Sequence, residues 1–111
     1  MAKHEFGIMQ RKPFFHDRFD TYNPPKYNCI EIHDVFIEEV MMDLLDMDCY
    51  WHTLQRPEKG LAYYGITLIP PKSMEDFISI LLSKNKEEYT ALIALANQAK
   101  EKRKYIIHYG I

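Results

Sequence analysis

The sequence predicts a single α+β domain in which an antiparallel sheet of about four strands carries helices on one face. The chain of 111 residues is 47% hydrophobic and 14% aromatic, with only four glycines and six prolines. It can therefore bury enough apolar surface to fold as one domain over residues 1–111. Its segments follow the order strand, helix, strand, strand, helix pair, strand. This order matches the split βαβ topology of ferredoxin-like folds, with a doubled second helix.

The N-terminal region combines a weak strand pattern at residues 4–9 with an irregular arm. Residues 10–26 contain three prolines among polar and charged residues, which favours an extended arm or loop over a helix. Four aromatic residues make this arm too apolar for a solvated tail: Phe14, Phe15, Phe19 and Tyr22. We therefore expect the arm to pack, either on its own domain or on a second subunit.

The first strong strand pattern covers residues 27–33. Two isoleucines alternate there with small or polar residues, in the order Cys29, Ile30, Glu31, Ile32 and His33. This period of two is typical of a strand with one buried face. Asp34 suits a helix N-cap, and apolar residues then repeat at helical spacing up to Leu45. We expect a helix there with one apolar and one acidic face.

The second half of the chain predicts a hairpin, two helices and a last strand. Residues 48–54 and 60–69 are aromatic and β-branched, and the five residues between them favour a turn. Ser73 and Asn85 have the spacing of helix caps with an acidic residue three positions later. A strand at residues 105–109 would end the fold. In a ferredoxin-like sheet the first and last strands are neighbours, which would bring Cys29 close to residues 105–110.

Charge and cysteine content exclude several classes of function. Fourteen Lys and Arg against sixteen Asp and Glu give a net charge of −2, so no overall basic field favours nucleic acid as a partner. Basic residues 100–104 fall at the predicted end of the last helix, where cations complement the helix dipole. No apolar run is long enough for a membrane span, and the start lacks a signal-peptide core. We expect a cytoplasmic protein without a membrane partner, and with Cys29 and Cys49 as reduced thiols.

The sequence contains no motif that names a reaction. Phosphate-binding glycine loops, GxSxG, HExxH and paired CxxC are all absent, so we expect no cofactor and no metal site. If the protein is an enzyme, its reactive groups would be thiol, imidazole and phenol side chains on predicted strands: Cys29, His33, His108, Tyr63 and Tyr105. The thiol would act as nucleophile, a histidine as acid or base, and the tyrosines as orienting groups. A half-exposed strand face or a subunit interface are the alternatives.

Two surfaces are candidate binding sites. An aromatic interface would use four residues of the arm and two of the predicted strands: Phe14, Phe15, Phe19, Tyr22, Trp51 and Tyr109. The first helix would carry an acidic face with Glu39, Asp43 and Asp46, whose mutual repulsion favours a positive neighbour. Residues 100–104, a basic partner protein or a divalent cation could supply that charge, and a solvated acidic face is the alternative.

Two segments, GLAYYGITLIPP at 60–71 and KYIIHYGI at 104–111, resemble segments of small uncharacterised bacterial proteins. The similarity extends loosely over YNCIEI and DCYWHT. This resemblance implies a bacterial, cytoplasmic setting and a single α+β domain. It implies no activity and no functional residue.

The surplus of aromatic residues without a catalytic motif favours a non-catalytic interaction or ligand-binding module that acts as a homodimer. One alternative is a small-molecule enzyme with a pocket of His, Tyr and Cys side chains on the sheet. Another is an acidic inhibitor or immunity-type protein that binds a basic partner protein.

Overall fold

A computed structural model describes residues 2–111, which form one antiparallel sheet of six strands and three α-helices. The strands are β1 Lys3–Ile8, β2 Ile30–His33, β3 Asp48–Trp51, β4 Pro57–Lys59, β5 Ile66–Ile69 and β6 Ile106–Tyr109. The helices are α1 Asp34–Met41, α2 Met74–Ser83 and α3 Thr90–Lys102. Across the sheet the strands lie in the order β2, β1, β6, β5, β3, β4.

The sheet therefore has more strands than the four that the sequence predicted. The weak pattern at residues 4–9 forms a full strand, β1. Part of the predicted turn also forms a strand, because β4 pairs with β3 and places Pro57 opposite Tyr50. Proline is tolerated there as the first residue of an edge strand, where its missing N–H breaks no ladder. β3 and β5 pair antiparallel as predicted, with Tyr50 opposite Leu68, but they do not form a simple hairpin, because β4 lies between them in the chain and pairs with the other side of β3.

The ferredoxin-like arrangement is not confirmed. β2 lies at the edge of the sheet, and β1 separates it from β6. Phe6 of β1 pairs with Ile30 on one side and with His108 on the other. Residues 105–110 are therefore not the strand neighbours of the Cys29 segment, since the N-terminal strand lies between them.

The helices begin differently from the sequence prediction. His33 is the N-cap of α1, and its ring Nδ1 accepts a hydrogen bond of 3.1 Å from the Val35 N–H. Asp34, the predicted cap, is instead the first helical residue. Ser73 occupies the N-cap position of α2 as predicted, but its side chain makes no capping hydrogen bond, because its hydroxyl donates to the carbonyl oxygen of Asp48. Asn85 does not cap α3 and lies in the preceding loop.

The helix ends and helix faces follow the sequence more closely. α1 ends at Met41, earlier than its periodicity predicted, but Leu44 in the following turns is still fully buried. The apolar faces of α2 and α3 are largely buried as predicted, but Leu82, which was expected on the buried face of α2, is exposed. α3 ends with Lys100 and Lys102 in its last turn, where they complement the helix dipole. None of the helices in residues 2–111 has the length and apolar character to cross a membrane.

The two faces of the sheet are covered by different parts of the chain. On one face, residues such as Phe6 and Ile106 pack with all three helices. On the other face, a second cluster that includes Leu68, Ile107 and Tyr109 is covered by Phe19 of the arm and by Tyr27, which follows the arm. At Phe19, therefore, the arm packs on its own domain.

Gly7 on β1 permits this close approach of the chain. A Cβ at this position would lie 2.7 Å from the carbonyl oxygen of Tyr27 and 2.8 Å from Sγ of Cys29. Those distances are too short for any side chain, so the segment after the arm can reach the sheet only across a glycine.

Candidate functional site

An open cavity of about 550 Å³ lies where the arm crosses the ends of β1, β5 and β6. Its volume is in the range of small-molecule sites in proteins. Polar and aromatic side chains line it, namely Lys3, Glu5, Asp20, Tyr22, His52 and Tyr109. The arm forms one wall and the sheet face opposite the helices forms the floor.

Glu5 is the buried carboxylate of this cavity. The alternation of β1 places it on the arm side of the sheet, and only 6% of its surface is exposed. The hydroxyl of Tyr22 donates a hydrogen bond to its Oε1. None of the ion pairs in residues 2–111 includes Glu5. Because a carboxylate can accept about four hydrogen bonds, Glu5 has accepting capacity left for a ligand.

The other charged groups of the cavity already have partners. The ammonium of Lys3 is paired with Glu31, which lies beside Glu5 on β2. The carboxylate of Asp20 accepts from the guanidinium of Arg18 at 2.9 Å. These two pairs largely balance their own charges, and Glu5 is left as the carboxylate without a direct ion pair. The Lys3 ammonium still attracts it at longer range, because the pKa of Lys3 is raised first by the hydrogen bond to Glu31 and further by the charges of Glu31 and Glu5.

His52 holds the arm against the sheet. Its Nδ1 lies 3.0 Å from the carbonyl oxygen of Phe19 and 3.1 Å from Oδ1 of Asp20, and its Nε2 lies 3.4 Å from the N–H of Ile66. One neutral tautomer satisfies all three contacts, with Nδ1–H donating and Nε2 accepting. Its backbone has φ of 65°, a left-handed conformation that is costly for a non-glycine residue. The structure thus places strain where strand and arm meet at the cavity.

Two tyrosines form the aromatic part of the wall. The ring of Tyr22 meets that of Tyr109 edge-on, with centroids 5.3 Å apart. The hydrogen bond to Glu5 raises the pKa of Tyr22, and burial raises the pKa of Tyr109 to about 12. Both hydroxyls therefore stay protonated at neutral pH. Tyr22 is 61% exposed, whereas Tyr109 is only 2% exposed.

A second polar feature lies on the opposite face of the same strands. Oγ1 of Thr67 is 3.1 Å from Nδ1 of His108, whose Nε2 is 2.9 Å from Nδ1 of His4. Nε2 of His4 is in turn 2.8 Å from Oδ1 of Asp34, which also accepts from the Tyr63 hydroxyl at 2.5 Å. We call these five residues the histidine network. Thr67, His108 and His4 are fully buried beneath the helices.

Desolvation keeps both histidines of this network neutral. Burial lowers the pKa of His4 and lowers that of His108 well below the ordinary 6.5. The hydrogen bond from Tyr63 is the main reason that the pKa of Asp34 is lowered, so its carboxylate accepts from His4. His4 Nδ1 must then accept from His108, and His108 Nδ1 from the Thr67 hydroxyl. Each member is satisfied, as expected for a buried network that stabilises a fold.

The structure does not gather the five residues of the predicted enzyme set around one cavity. His108 and Tyr63 belong to the histidine network, but Cys29 and Tyr105 lie in the cluster on the arm side. His33 caps α1. Burial raises the pKa of Cys29 to about 12, so the group is a protonated thiol and a poor nucleophile. No group of three or more His, Cys, Asp or Glu side chains in the described residues could hold a metal ion.

The residues of the predicted aromatic interface have different environments. Phe19 and Tyr109 are packed within the domain, and Tyr22 lies over the cavity. The indole N–H of Trp51 donates to the Gly60 carbonyl oxygen at 3.0 Å. Phe14 and Phe15 remain 64% and 60% exposed. Of the six residues of the predicted interface, therefore, Phe14 and Phe15 at the tip of the arm are the two that are exposed outside the cavity.

The acidic face of α1 has basic neighbours within the chain. Nζ of Lys86 lies 2.8 Å from Glu39, and Nζ of Lys84 lies 2.6 Å from Asp43, just after α1. Both lysines come from the loop between α2 and α3 and not from residues 100–104. Asp46 is exposed to solvent. Because two of the three carboxylates are already paired, this face offers less negative charge to a basic partner than the sequence suggested.

The sequence did not identify His4 of the histidine network or the cavity residues Glu5 and Asp20. His4 could have been found, because it shares a period-two face with Phe6 and Ile8 and is therefore buried with them. Glu5 gave no comparable signal, since a carboxylate that alternates with apolar residues usually faces solvent. Asp20 reaches the cavity only because the arm folds back over the sheet.

No protein-family model, no curated protein and no solved structure matches this chain. Function is therefore inferred from the geometry of the cavity under the arm.

Proposed function

We propose that the protein is a non-catalytic binding module that holds a small ring-containing organic compound in the cavity under the arm. The observation that carries this proposal is the buried carboxylate of Glu5 in a wall that also contains the rings of Tyr22 and Tyr109. Small-molecule sites typically combine apolar and aromatic walls with a few fixed polar groups. The cavity has both, at a suitable volume.

The environment of the reactive groups favours binding over catalysis. His52 is the histidine that lines the cavity, and both of its ring nitrogens already contact the arm or the sheet. The buried network holds His4 and His108 on the opposite face of the sheet. Burial also keeps the Cys29 thiol protonated. None of these histidine or cysteine groups therefore offers a ligand the free proton site that a general acid or base needs.

Amide NMR spectra recorded with a mixture of small ring compounds test this proposal. We expect binding compounds to shift the amide signals of Glu5, Tyr22, Ile66 and Tyr109, with millimolar to micromolar affinity. Tyr22→Ala removes one wall and should weaken binding several-fold. Met42→Ala is the control, because Met42 is exposed and lies outside the cavity. Shifts confined to other surfaces, or binding that is indifferent to Tyr22→Ala, would contradict the proposal.

We also propose that the tip of the arm mediates a homodimer. Phe14 and Phe15 are adjacent and exposed, while the arm beyond them is anchored to its own domain through Phe19. Exposed aromatic pairs of this kind are enriched at interfaces. Sedimentation velocity should show a dimer that dissociates in the double variant Phe14→Ser and Phe15→Ser. A strictly monomeric wild-type protein at micromolar concentration would rule this out.

A further inference from the structure

We infer that the ligand of the cavity carries a cationic nitrogen, such as a protonated amine or amidine, attached to an aromatic or heteroaromatic ring. This inference rests on the proposed function and adds the charge of the ligand to it. Three observations support it: the charge pairing around Glu5, the exposure of Tyr22, and the aromatic wall.

The ion pairs around the cavity leave Glu5 as the group that a ligand cation would bind. Lys3 is paired with Glu31 and Asp20 with Arg18, so neither forms an ion pair with Glu5, and Lys3 attracts Glu5 only at longer range. Glu5 is 6% exposed and is bonded to a neutral hydroxyl. A buried carboxylate is costly without a cationic partner. A ligand ammonium or amidinium would supply this partner through charge-assisted hydrogen bonds, which are stronger than the bond from a tyrosine hydroxyl.

The position of Tyr22 makes Glu5 reachable. Its hydroxyl covers the carboxylate, but most of its ring is exposed, so the ring can move aside without disturbing the core. In the unliganded protein the Tyr22 hydroxyl therefore occupies the position beside Glu5 that the cationic nitrogen of the ligand would take. A cation that displaces the hydroxyl exchanges a neutral donor for a charged one.

The tyrosines favour a flat ring next to that cation. Tyr22 meets Tyr109 edge-on, so a Tyr22 ring that moves aside uncovers aromatic surface of Tyr109 beside Glu5, and Tyr64, which also lines the cavity, is exposed. Aromatic rings attract cations over their faces and stack against other rings. An anionic ring compound would instead meet the charge of Glu5, while Lys3 is committed to Glu31.

Three probes of matched size separate these contributions: benzamidine, benzyl alcohol and benzoate. Titration followed by NMR should show benzamidine binding at least about tenfold more tightly than benzyl alcohol, because it adds a charge-assisted contact. Benzoate should bind most weakly. Glu5→Gln keeps an acceptor for Tyr22 but removes the charge, and should abolish the preference for benzamidine. Glu101→Gln makes the same change at an exposed site on α3 and should leave the preference unchanged.

A second variant keeps the test decisive if Glu5→Gln fails to fold. Tyr22→Phe retains the ring and frees the carboxylate, so the preference for benzamidine should hold or increase. Equal binding of the three probes, or tightest binding of benzoate, would overturn the inference and leave the proposed ring-binding function intact. If none of the probes or the mixed ring compounds bound to folded wild-type protein, the proposed function itself would fail.

Discussion

Nδ1 of His4 lies 2.9 Å from Nε2 of His108, across neighbouring strands at the centre of the sheet. The two rings are stacked, with centroids 5.1 Å apart and planes inclined by 12°. Both side chains are fully buried. One proton lies between these two nitrogens, and it belongs to Nε2 of His108. Asp34 determines this, because it accepts a hydrogen bond from Nε2 of His4 and so leaves Nδ1 of His4 as an acceptor. The pair thus links β6 to β1 and β1 to the first residue of α1.

The variant His108→Leu tests the structural role of this network. Leucine fills similar space but leaves Nδ1 of His4 without a donor and the Thr67 hydroxyl proton without its acceptor, while Oγ1 of Thr67 still accepts from the Ala62 N–H. We expect the free energy of unfolding to fall by about 1–3 kcal/mol, the usual cost of unsatisfied buried polar groups. Urea unfolding measures this loss. His16→Leu is the control, since His16 is exposed and should change stability by less than about 0.5 kcal/mol. Similar losses in the two variants would contradict a structural role for the network.

The same network predicts how stability depends on pH. The pKa values of His4 and His108 are lowered in the folded protein, so below pH 6.5 the unfolded chain binds protons that the folded chain does not. Stability should therefore decrease as the pH falls through 6.5 towards the lowered folded-state values. Urea unfolding at pH values on both sides of 6.5 measures this slope, and His108→Leu should flatten it. An unchanged slope in the variant would show that other groups cause the acid sensitivity.

At lower pH the carboxylate of Asp34 has its own effect. The hydrogen bonds from Tyr63 and His4 lower its pKa, so its stabilising contribution is present above the ordinary value of 3.8. This contribution is lost as the pH falls below that value towards the lowered folded-state pKa. The histidine effect begins near pH 6.5 and the Asp34 effect only near pH 3.8, so the variant His108→Leu distinguishes the histidines from Asp34 within one titration series.

The sequence predicted the segments of this fold better than their arrangement. Periodicity placed β2, α2, α3 and β6 close to their observed bounds, because alternation and helical spacing reflect burial on a local scale. Local patterns carry no information on which strand pairs with which, so the position of β1 between β2 and β6 was not foreseen. The cavity was not foreseen either, because it exists only where Asp20 and Tyr22 of the arm meet Glu5 of the sheet.

The arm should contribute to stability through one of its phenylalanines and not through the others. Phe19 packs in the cluster on the arm side, and its N–H donates to the His52 carbonyl oxygen at 2.7 Å. Phe19→Ala should lower the free energy of unfolding by about 2 kcal/mol, less than for a fully buried ring because Phe19 is half-buried.

Phe15→Ala provides the matched comparison for this prediction. Phe15 is exposed in the same arm, and its substitution should change the unfolding free energy by less than about 0.5 kcal/mol. Both values come from urea unfolding at a concentration low enough for the protein to be monomeric, because Phe15 belongs to the proposed dimer interface. Equal effects would show that the arm is not anchored to its own domain through Phe19.

The two cysteines should react slowly with alkylating reagents in the folded protein. Burial raises the pKa of Cys29 and of Cys49 to about 12, and alkylation requires the thiolate. With an ordinary thiol pKa of about 8.5, the thiolate population at mildly alkaline pH should be roughly a thousandfold lower than in the unfolded chain. Iodoacetamide labelling followed by mass spectrometry should therefore be fast in denaturant and slow without it. The variant Cys29→Ser isolates the deeper thiol of Cys49, and rapid labelling of either native thiol would contradict the burial that sets these pKa values.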